Sequence, residues 1–400
     1  MTDLPPVIIL GVDTPIGLTI VRELGARGVR VHGVGRTATP IGGQSRHCKS
    51  VTQRKPGALM GQLRALIATT GAKALFAVSE DDMVALSAIA PVLDGCALLT
   101  PRSGPLAIVL DKSETLARAA LIGIDVPQSW QPVTGENFAT KIMKLEFPVI
   151  AKWADPPAIA ARLAALNIAL LKAEYIEAPH QLVAMLNRYQ HVGSFPLVQS
   201  FCPGIGLGQM FHMQNGRATL RFAHRRLHEW PPEGGISTLC AAEPLDAHMA
   251  QQAKSEALLA AIGWEGPAMV EYRYDAATGR YWLMEINGRF WGSQPLAYHN
   301  GAHFAWEHYR RAVLGQSDAA PEPAVIRRAR YMIPETRRLI HIMRGVNGPS
   351  QQRRGEALLS WIAGFFDPNM RYYVFSWRDP KPFFSDIANV IRKSVRREMR

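Results

Sequence analysis

The sequence predicts an α/β segment on a parallel sheet, then an α+β segment on an antiparallel sheet, then a basic helical extension. Three observations lead there: strands alternate with helices over residues 1–110, strands follow helices over 111–315, and positive charge concentrates in 316–400. In the first segment Val7–Leu10 is a short apolar run, Gly11 to Gly17 a turn, and Leu18–Arg27 has helical periodicity. Val29–Val34 and Ala74–Val78 read as further strands, and Asp81–Val92 returns to helix. Gly11 and Gly17 do not make the G-x-G-x-x-G pattern, and no acidic residue follows Val34. The turn therefore reads as sheet scaffold, which argues against a dinucleotide-dependent dehydrogenase.

At Leu110 the texture changes. Asp111-Lys112-Ser113-Glu114 has the pattern of a helix start, with Asp111 as cap and Glu114 able to reach back. That helix is expected to run to about Leu121 and stop at Gly123. Phe147–Lys152 is a β run that delivers a lysine at its end, and helices are expected over Pro156–Leu171 and Pro179–Tyr189. Strands follow at Leu197–Cys202, Gly208–Met213, Ala218–His224, Ala268–Tyr274 and Tyr281–Ile286, interrupted by a helix near Asp246–Ile262. Asn215-Gly216 and Thr278-Gly279 are hairpin turns. The Ser/Ala/Pro-rich stretch Gly315–Pro323 reads as a linker.

Composition excludes several classes. Apolar residues make up 48% of the 400 and charged residues 20%, which excludes wholesale disorder. No run approaches the roughly 18 uncharged apolar residues of a membrane span. The first residues lack a basic n-region, so Val7–Leu10 reads as a strand rather than a signal peptide. Cys48, Cys96, Cys202 and Cys240 form no C-x-x-C pair, which argues against a zinc site or disulfide framework and fits the cytoplasm. Residues 321–400 hold 16 Lys+Arg against 7 Asp+Glu, whereas residues 1–320 hold 29 against 26. The anion that the excess charge serves is thus met by the tail, and no nucleic-acid-binding module accompanies it.

The segment from Met269 to Arg289 is the most informative. Strand side chains alternate, so Glu285 and Asn287 share a face. If Ala276–Arg280 form a five-residue loop, Glu271 lies directly opposite Glu285. Two opposed carboxylates need a cation between them, and with the Asn287 carbonyl they make an oxygen-only set suited to Mg²⁺. Pairing of Glu271 and Glu285 with Arg273 and Arg289 on a solvated face is the structural alternative.

At this point the chain resembles the ATP-grasp superfamily of carboxylate–amine ligases from about Val7 to His308. "EINGRFWGS" (Glu285–Ser293) is similar to the family's E-(I/V)-N-P-R-x-x-x-S strand end, and "FPVIAKW" (Phe147–Trp153) to its phosphate-lysine strand. "LDKSETLARAALIGIDVPQSW" (Leu110–Trp130) resembles the family's D-K helix, and "LVQSFCPGIGLG" (Leu197–Gly208) stands where the family places the adenine hinge. "FAHRRLHEWPPEGGIS" (Phe222–Ser237) most resembles uncharacterised bacterial ATP-grasp proteins of surface-polysaccharide gene clusters. There His224, Arg225 and Arg226 cluster positive charge, and Gly234-Gly235 leave backbone N–H groups free for an anion.

The resemblance implies a Rossmann-like pre-ATP-grasp domain (1–110), a two-subdomain ATP-grasp domain (111–315) and a basic C-terminal extension (316–400). It implies that Lys112 and Lys152 contact ATP phosphates, Gln199 bonds the adenine amino group, and the backbone around Phe201 meets the ring edge. Glu271, Glu285 and Asn287 are then the ligands of one or two Mg²⁺ ions, for which Mn²⁺ can substitute, and Arg289 with Arg226 stabilises the reacting acyl group. The implied reaction is amide formation through an acyl phosphate, with small-molecule or lipid- or polysaccharide-linked acid and amine substrates. A bicarbonate-phosphorylating carboxylase and a non-catalytic ATP-binding scaffold are the alternatives. The chain departs from the pattern in three places. "ADPPAIAARLAALN" replaces the glycine-rich loop after Lys152, Ile205 or Leu207 replaces the hinge acid, and Gly288 replaces a proline.

In the tail, Ser385–Arg400 fits one amphipathic helix capped by Ser385. Phe384, Ile387, Val390, Ile391, Val395 and Met399 fall on one side, and Arg392, Lys393, Arg396, Arg397 and Arg400 on the other. With the aromatic residues ahead of it, this pattern predicts peripheral contact with an anionic membrane surface through 383–400; packing of the apolar side on the body is the alternative.

Overall fold

The computed structural model describes residues 3–398 apart from 90, 155, 172, 232–234, 321–322, 324–326 and 346–351. The chain forms two compact units: Met1–Thr115, Gly206–Glu271 and Glu285–Arg400 make one, and Leu116–Ile205 with Tyr272–Met284 the other.

The first unit begins with a six-stranded sheet in the order Cys48–Gln53, Val31–Gly35, Val7–Leu10, Ala74–Ala77, Cys96–Leu99, Val92–Leu93. All pairs are parallel except the last. Val7–Leu10 is buried along its whole length, as a central parallel strand covered on both faces must be. The first helix, expected over Leu18–Arg27, is Pro15–Gly25: it starts three residues earlier because the Thr14 hydroxyl accepts from the Gly17 N–H and Pro15 occupies the first turn. The expected helix Asp81–Val92 is Glu80–Ser87, capped by Ser79. The Cys48–Gln53 strand and the Leu59–Thr70 helix add to the expected elements.

The same unit carries a seven-stranded sheet in the order Arg280–Asn287, Gly266–Asp275, Ile205–Gln214, Arg217–Trp230, Ile236–Glu243, Arg328–Arg330, Met370–Tyr372. Residues 272–284, the far end of the first hairpin, belong to the second unit. The Asn215-Gly216 turn has φ of 52° and 73°, which explains the asparagine and glycine there. The expected extension is not purely helical. Ala329, fully buried, sits in a strand paired to Leu239–Ala241, and Met370–Tyr372 pairs parallel to that strand. A three-residue strand reading Arg-Ala-Arg has no apolar alternation to betray it.

The last helix is Lys381–Glu398, so Ser385 lies inside it and is not its cap. The Ser385 hydroxyl instead donates to the Thr39 carbonyl, and so does the Asn389 amide. Arg392 also reaches the Thr39 hydroxyl, so the face turned to the parallel-sheet domain carries 385, 389 and 392. Phe384 and Ile391 remain 63% and 57% exposed, which rules out packing of these two on the body. The side chains of Lys393, Val395, Arg396 and Arg397, and residues Met399 and Arg400, lie outside the described residues. Among the described residues no helix is long and apolar enough to cross a membrane.

The second unit holds a four-stranded antiparallel sheet in the order Ser129–Trp130, Leu197–Ser200, Val149–Lys152, Glu174–Ile176. Helices Pro156–Ala165 and Pro179–Tyr189 close a core around Trp130, Val149, Leu163, Leu182 and Val198. The Pro156 helix ends six residues before the expected Leu171, at Ala165.

Candidate active site

In the first unit the site is built on the Gly266–Asp275 and Arg280–Asn287 strands, the Arg217–Trp230 strand, and the start of the Lys112–Leu121 helix. That helix is capped as its sequence predicts: Asp111 Oδ1 accepts from the backbone N–H of Ser113 at 2.9 Å and of Glu114 at 3.1 Å. These bonds hold the Asp111 carboxyl below the usual carboxylate range, the Ser113 hydroxyl contributing most. Lys112 occupies the first helical position, and its Nζ lies 3.0 Å from Glu285 Oε2. Asn287 Nδ2 donates to Glu285 Oε1 at 3.3 Å, as residues two apart on a strand can.

The strands are joined by four residues, Ala276–Gly279, not five. Counting across that connection no longer sets Glu271 directly opposite Glu285. Glu271 pairs instead with Arg226, whose guanidinium is 2.5 Å from Glu271 Oε2 and 3.7 Å from Glu229 Oε1. Burial works to lower the Arg226 pKa, but the carboxylates of Glu271, Glu229 and Glu285 outweigh it and raise it. Arg226 therefore stands within electrostatic reach of both glutamates that were expected to hold a metal.

The expected positive cluster at 224–226 is divided by strand alternation. His224 is buried, hydrogen-bonded to the Ser293 hydroxyl at 2.8 Å, and pushed down to about 3 by burial and by Arg226. It is neutral near pH 7 and adds no positive charge. Arg225 faces the other way and pairs with Glu243 at 3.0 Å. Gly235 is described, while Gly234 lies outside the described residues. Arg289 pairs with Glu80 at 2.9 Å. Glu80 opens a helix whose first turn holds Glu80, Asp81 and Asp82, the one signal that could have marked it in the sequence. Glu229, the third carboxylate around Arg226, was likewise not among the expected site residues.

Gly288, where the resemblance expects proline, has a physical reason. A Cβ there would stand 2.4 Å from Cη2 of the fully buried Trp264 and 3.0 Å from Val109 Cγ1.

In the second unit Lys152 ends its strand opposite Leu197, and Gln199 pairs with Ile150. Gln199 is buried and donates to the Ser129 hydroxyl at 2.7 Å. The Phe201 N–H donates to the Pro148 carbonyl, and its half-exposed ring meets that of Tyr175. Burial pushes the Cys202 thiol up to about 11 against the opposing pull of Lys152, Arg273 and Arg280, which places three cations around this thiol.

Glu271, Glu285 and Asn287 offer hard oxygen donors, the class that Mg²⁺ prefers. Two carboxylates are as many as such an ion takes where phosphates complete its shell. The residues fit the ion on that ground, with Lys112 and Arg226 supplying the countercharge the carboxylates need without it. Among the described residues no group of three or more His, Cys, Asp or Glu stands together.

No protein-family model and no curated protein sequence matches the chain. Solved structures do. N5-carboxyaminoimidazole synthetase from Staphylococcus aureus aligns over 86% of this chain and 87% of its own, with a TM-score of 0.62 and 12% identity. L-amino acid ligase from Bacillus licheniformis aligns over 78% and 75%, with a TM-score of 0.57 and 15% identity. The biotin carboxylase domain of Hydrogenobacter thermophilus 2-oxoglutarate carboxylase, solved with MgADP and bicarbonate, aligns over 79% and 71%, with a TM-score of 0.58 and 11% identity. The chain has the fold of these ligases and carboxylases.

Proposed function

We propose that the chain is an ATP-dependent ligase that activates a carboxylate as an acyl phosphate and joins it to an amine. The observation that carries this reading is the Lys112–Glu285–Asn287 contact set beside the Arg226–Glu271 pair, on a fold shared with enzymes of that type.

A carboxylate acylates poorly because its leaving group is oxide. Transfer of the γ-phosphoryl group of ATP to a carboxylate oxygen gives an acyl phosphate and ADP. The amine then attacks the acyl carbon, phosphate leaves, and the amine loses a proton. Lys112 and Lys152 hold ATP phosphates, and Gln199 with the backbone near Phe201 holds the adenine. When bound by Glu271, Glu285 and Asn287, Mg²⁺ supplies charge neutralisation to the phosphate oxygens. Arg226 fixes the Glu271 carboxylate, and Arg289, released from Glu80, meets the tetrahedral oxyanion. Such a donor is worth roughly 3–4 kcal/mol, so its loss costs about two to three orders of magnitude in rate.

The test is ADP release from Mg²⁺-ATP with pooled carboxylic acids and amines, each pool alone and both together. Stimulation that needs both pools and vanishes in Glu285→Gln supports the ligase. Stimulation by bicarbonate without an amine replaces it with the carboxylase reading. Full turnover in Glu285→Gln sinks the metal assignment.

We further propose that residues 383–400 bring the enzyme to an anionic membrane surface at the cytoplasmic face, where a lipid-linked substrate would be met. Support comes from Phe384 and Ile391, exposed on a helix that meets the body through Ser385, Asn389 and the Phe383 ring instead. Flotation with phosphatidylglycerol vesicles should be lost when both are changed to serine; equal flotation rejects the idea.

A further inference from the structure

Apart from the residues of the proposed active site, the first unit contains a cavity of about 930 Å³. It lies between the Pro15–Gly25 helix, the Arg46–His47 loop, the Gln294–His299 helix and the segment 370–379. Five arginines line it, Arg22, Arg46, Arg327, Arg371 and Arg378, against one carboxylate, Asp379.

That carboxylate is already committed. Asp379 accepts from Arg22 Nε at 2.9 Å, from the Ser45 hydroxyl at 2.7 Å and from the Arg46 N–H at 3.0 Å. The remaining four guanidiniums have no carboxylate partner among the described residues. Arg371 donates only to the Pro368 and Met370 carbonyls. Arg327 Nε is buried and has no hydrogen-bond partner among the described residues. His47 and His299 also line the wall; burial lowers the pKa of both, His299 to about 4, so near pH 7 the cavity's charge is the arginines'. Gathering unpaired guanidiniums around one space is electrostatically unfavourable unless an anion joins them.

We propose that this cavity is a second ligand site, for a small molecule bearing a phosphate or diphosphate group attached to a ring or short apolar moiety. The charge selects the phosphate. Four unpaired guanidiniums outmatch a single carboxylate, whereas a phosphate monoester carries about −1.5 to −2 and a diphosphate more, and the planar guanidinium fork matches its oxygens in pairs. The size and walls select the rest. The volume lies at the upper end of the roughly 300–1,000 Å³ typical of ligand pockets, far more than phosphate alone fills. Tyr298, Phe375 and Trp377 supply ring faces, Trp377 being 88% exposed.

The phosphate could belong to a soluble metabolite or to a lipid headgroup, and two arms of one experiment separate them. Binding of inorganic pyrophosphate to the full chain is followed by calorimetry, and binding of phosphatidylglycerol vesicles by flotation. Each is repeated with Arg46→Gln/Arg378→Gln, both exposed, and with Arg327→Gln. Loss of charge-assisted bonds should weaken binding about tenfold or more in each variant. Sensitivity in the pyrophosphate arm assigns a soluble phosphate; sensitivity in the vesicle arm alone assigns a lipid headgroup. Since Arg46 and Arg378 are exposed and pair with no carboxylate, their variants should keep the wild-type melting temperature, so a change in binding reports the site. Pyrophosphate and vesicle binding both within twofold of wild type in the double variant and in Arg327→Gln overturns the proposal.

Discussion

Replacing Glu23 by glutamine should remove most of one pH-dependent contribution to stability. Glu23 sits in the Pro15–Gly25 helix with no solvent exposure. One carboxyl oxygen accepts from the Trp306 N–H at 2.6 Å; the other is buried with no hydrogen-bond partner among the described residues. Burial pushes its pKa from 4.5 to about 7, and the Trp306 bond and the nearby Arg27 only partly oppose it. Between those values the folded chain holds a proton that the unfolded chain has lost, so stability falls as pH rises from about 4.5 to about 7. At about 1.36 kcal/mol per unit the full effect is about 3 kcal/mol. Glutamine resembles the protonated acid and does not titrate. Urea unfolding of wild type and Glu23→Gln at pH values from 4.5 to 8 should give a stability difference that shifts by about 3 kcal/mol in the variant's favour. Parallel curves across that range would refute the reasoning.

Two further substitutions follow from the same geometry. Asp379→Asn leaves the buried Arg22 guanidinium without its countercharge and should cost about 3–5 kcal/mol near pH 7. Burial alone would raise the Asp379 pKa, but its bonds from Ser45, Arg46 and Arg22 hold it below the usual value. Its contribution is therefore present above about pH 3.8 and lost as pH falls further. The wild-type to variant difference in urea midpoint should shrink at pH 3; a pH-independent difference would contradict this. Gly288→Ala forces a methyl group against Trp264 and should destabilise by about 1–3 kcal/mol, read as a lower melting temperature. An unchanged melting temperature would mean that Trp264 can move aside.

What the sequence made legible was local. Asp111 as a cap, the Asn215-Gly216 hairpin and the Pro179–Tyr189 helix each depend on neighbours within a few residues. The Cys48–Gln53 strand was not legible, since it lies at the sheet edge with an exposed, polar sequence. The Arg328–Arg330 strand exists because Leu239–Ala241 offers it a partner some ninety residues away. The candidate site divides along the same line. Residue types and strand spacing brought out Glu285 and Asn287, and the family resemblance brought out Lys112; the fold places all three in contact. They could not reveal that Arg289 meets Glu80, because charge carries no label for a partner 209 residues distant. His224-Arg225-Arg226 shows what more could have been read. Three adjacent basic residues looked like one anion site, yet on a strand they must alternate. Period-two reasoning turns His224 and Arg226 inward and Arg225 outward, and burial then neutralises the histidine. The inward arginine is left facing the carboxylates, an arrangement that makes Arg226 a partner of Glu271 before it is a partner of any substrate.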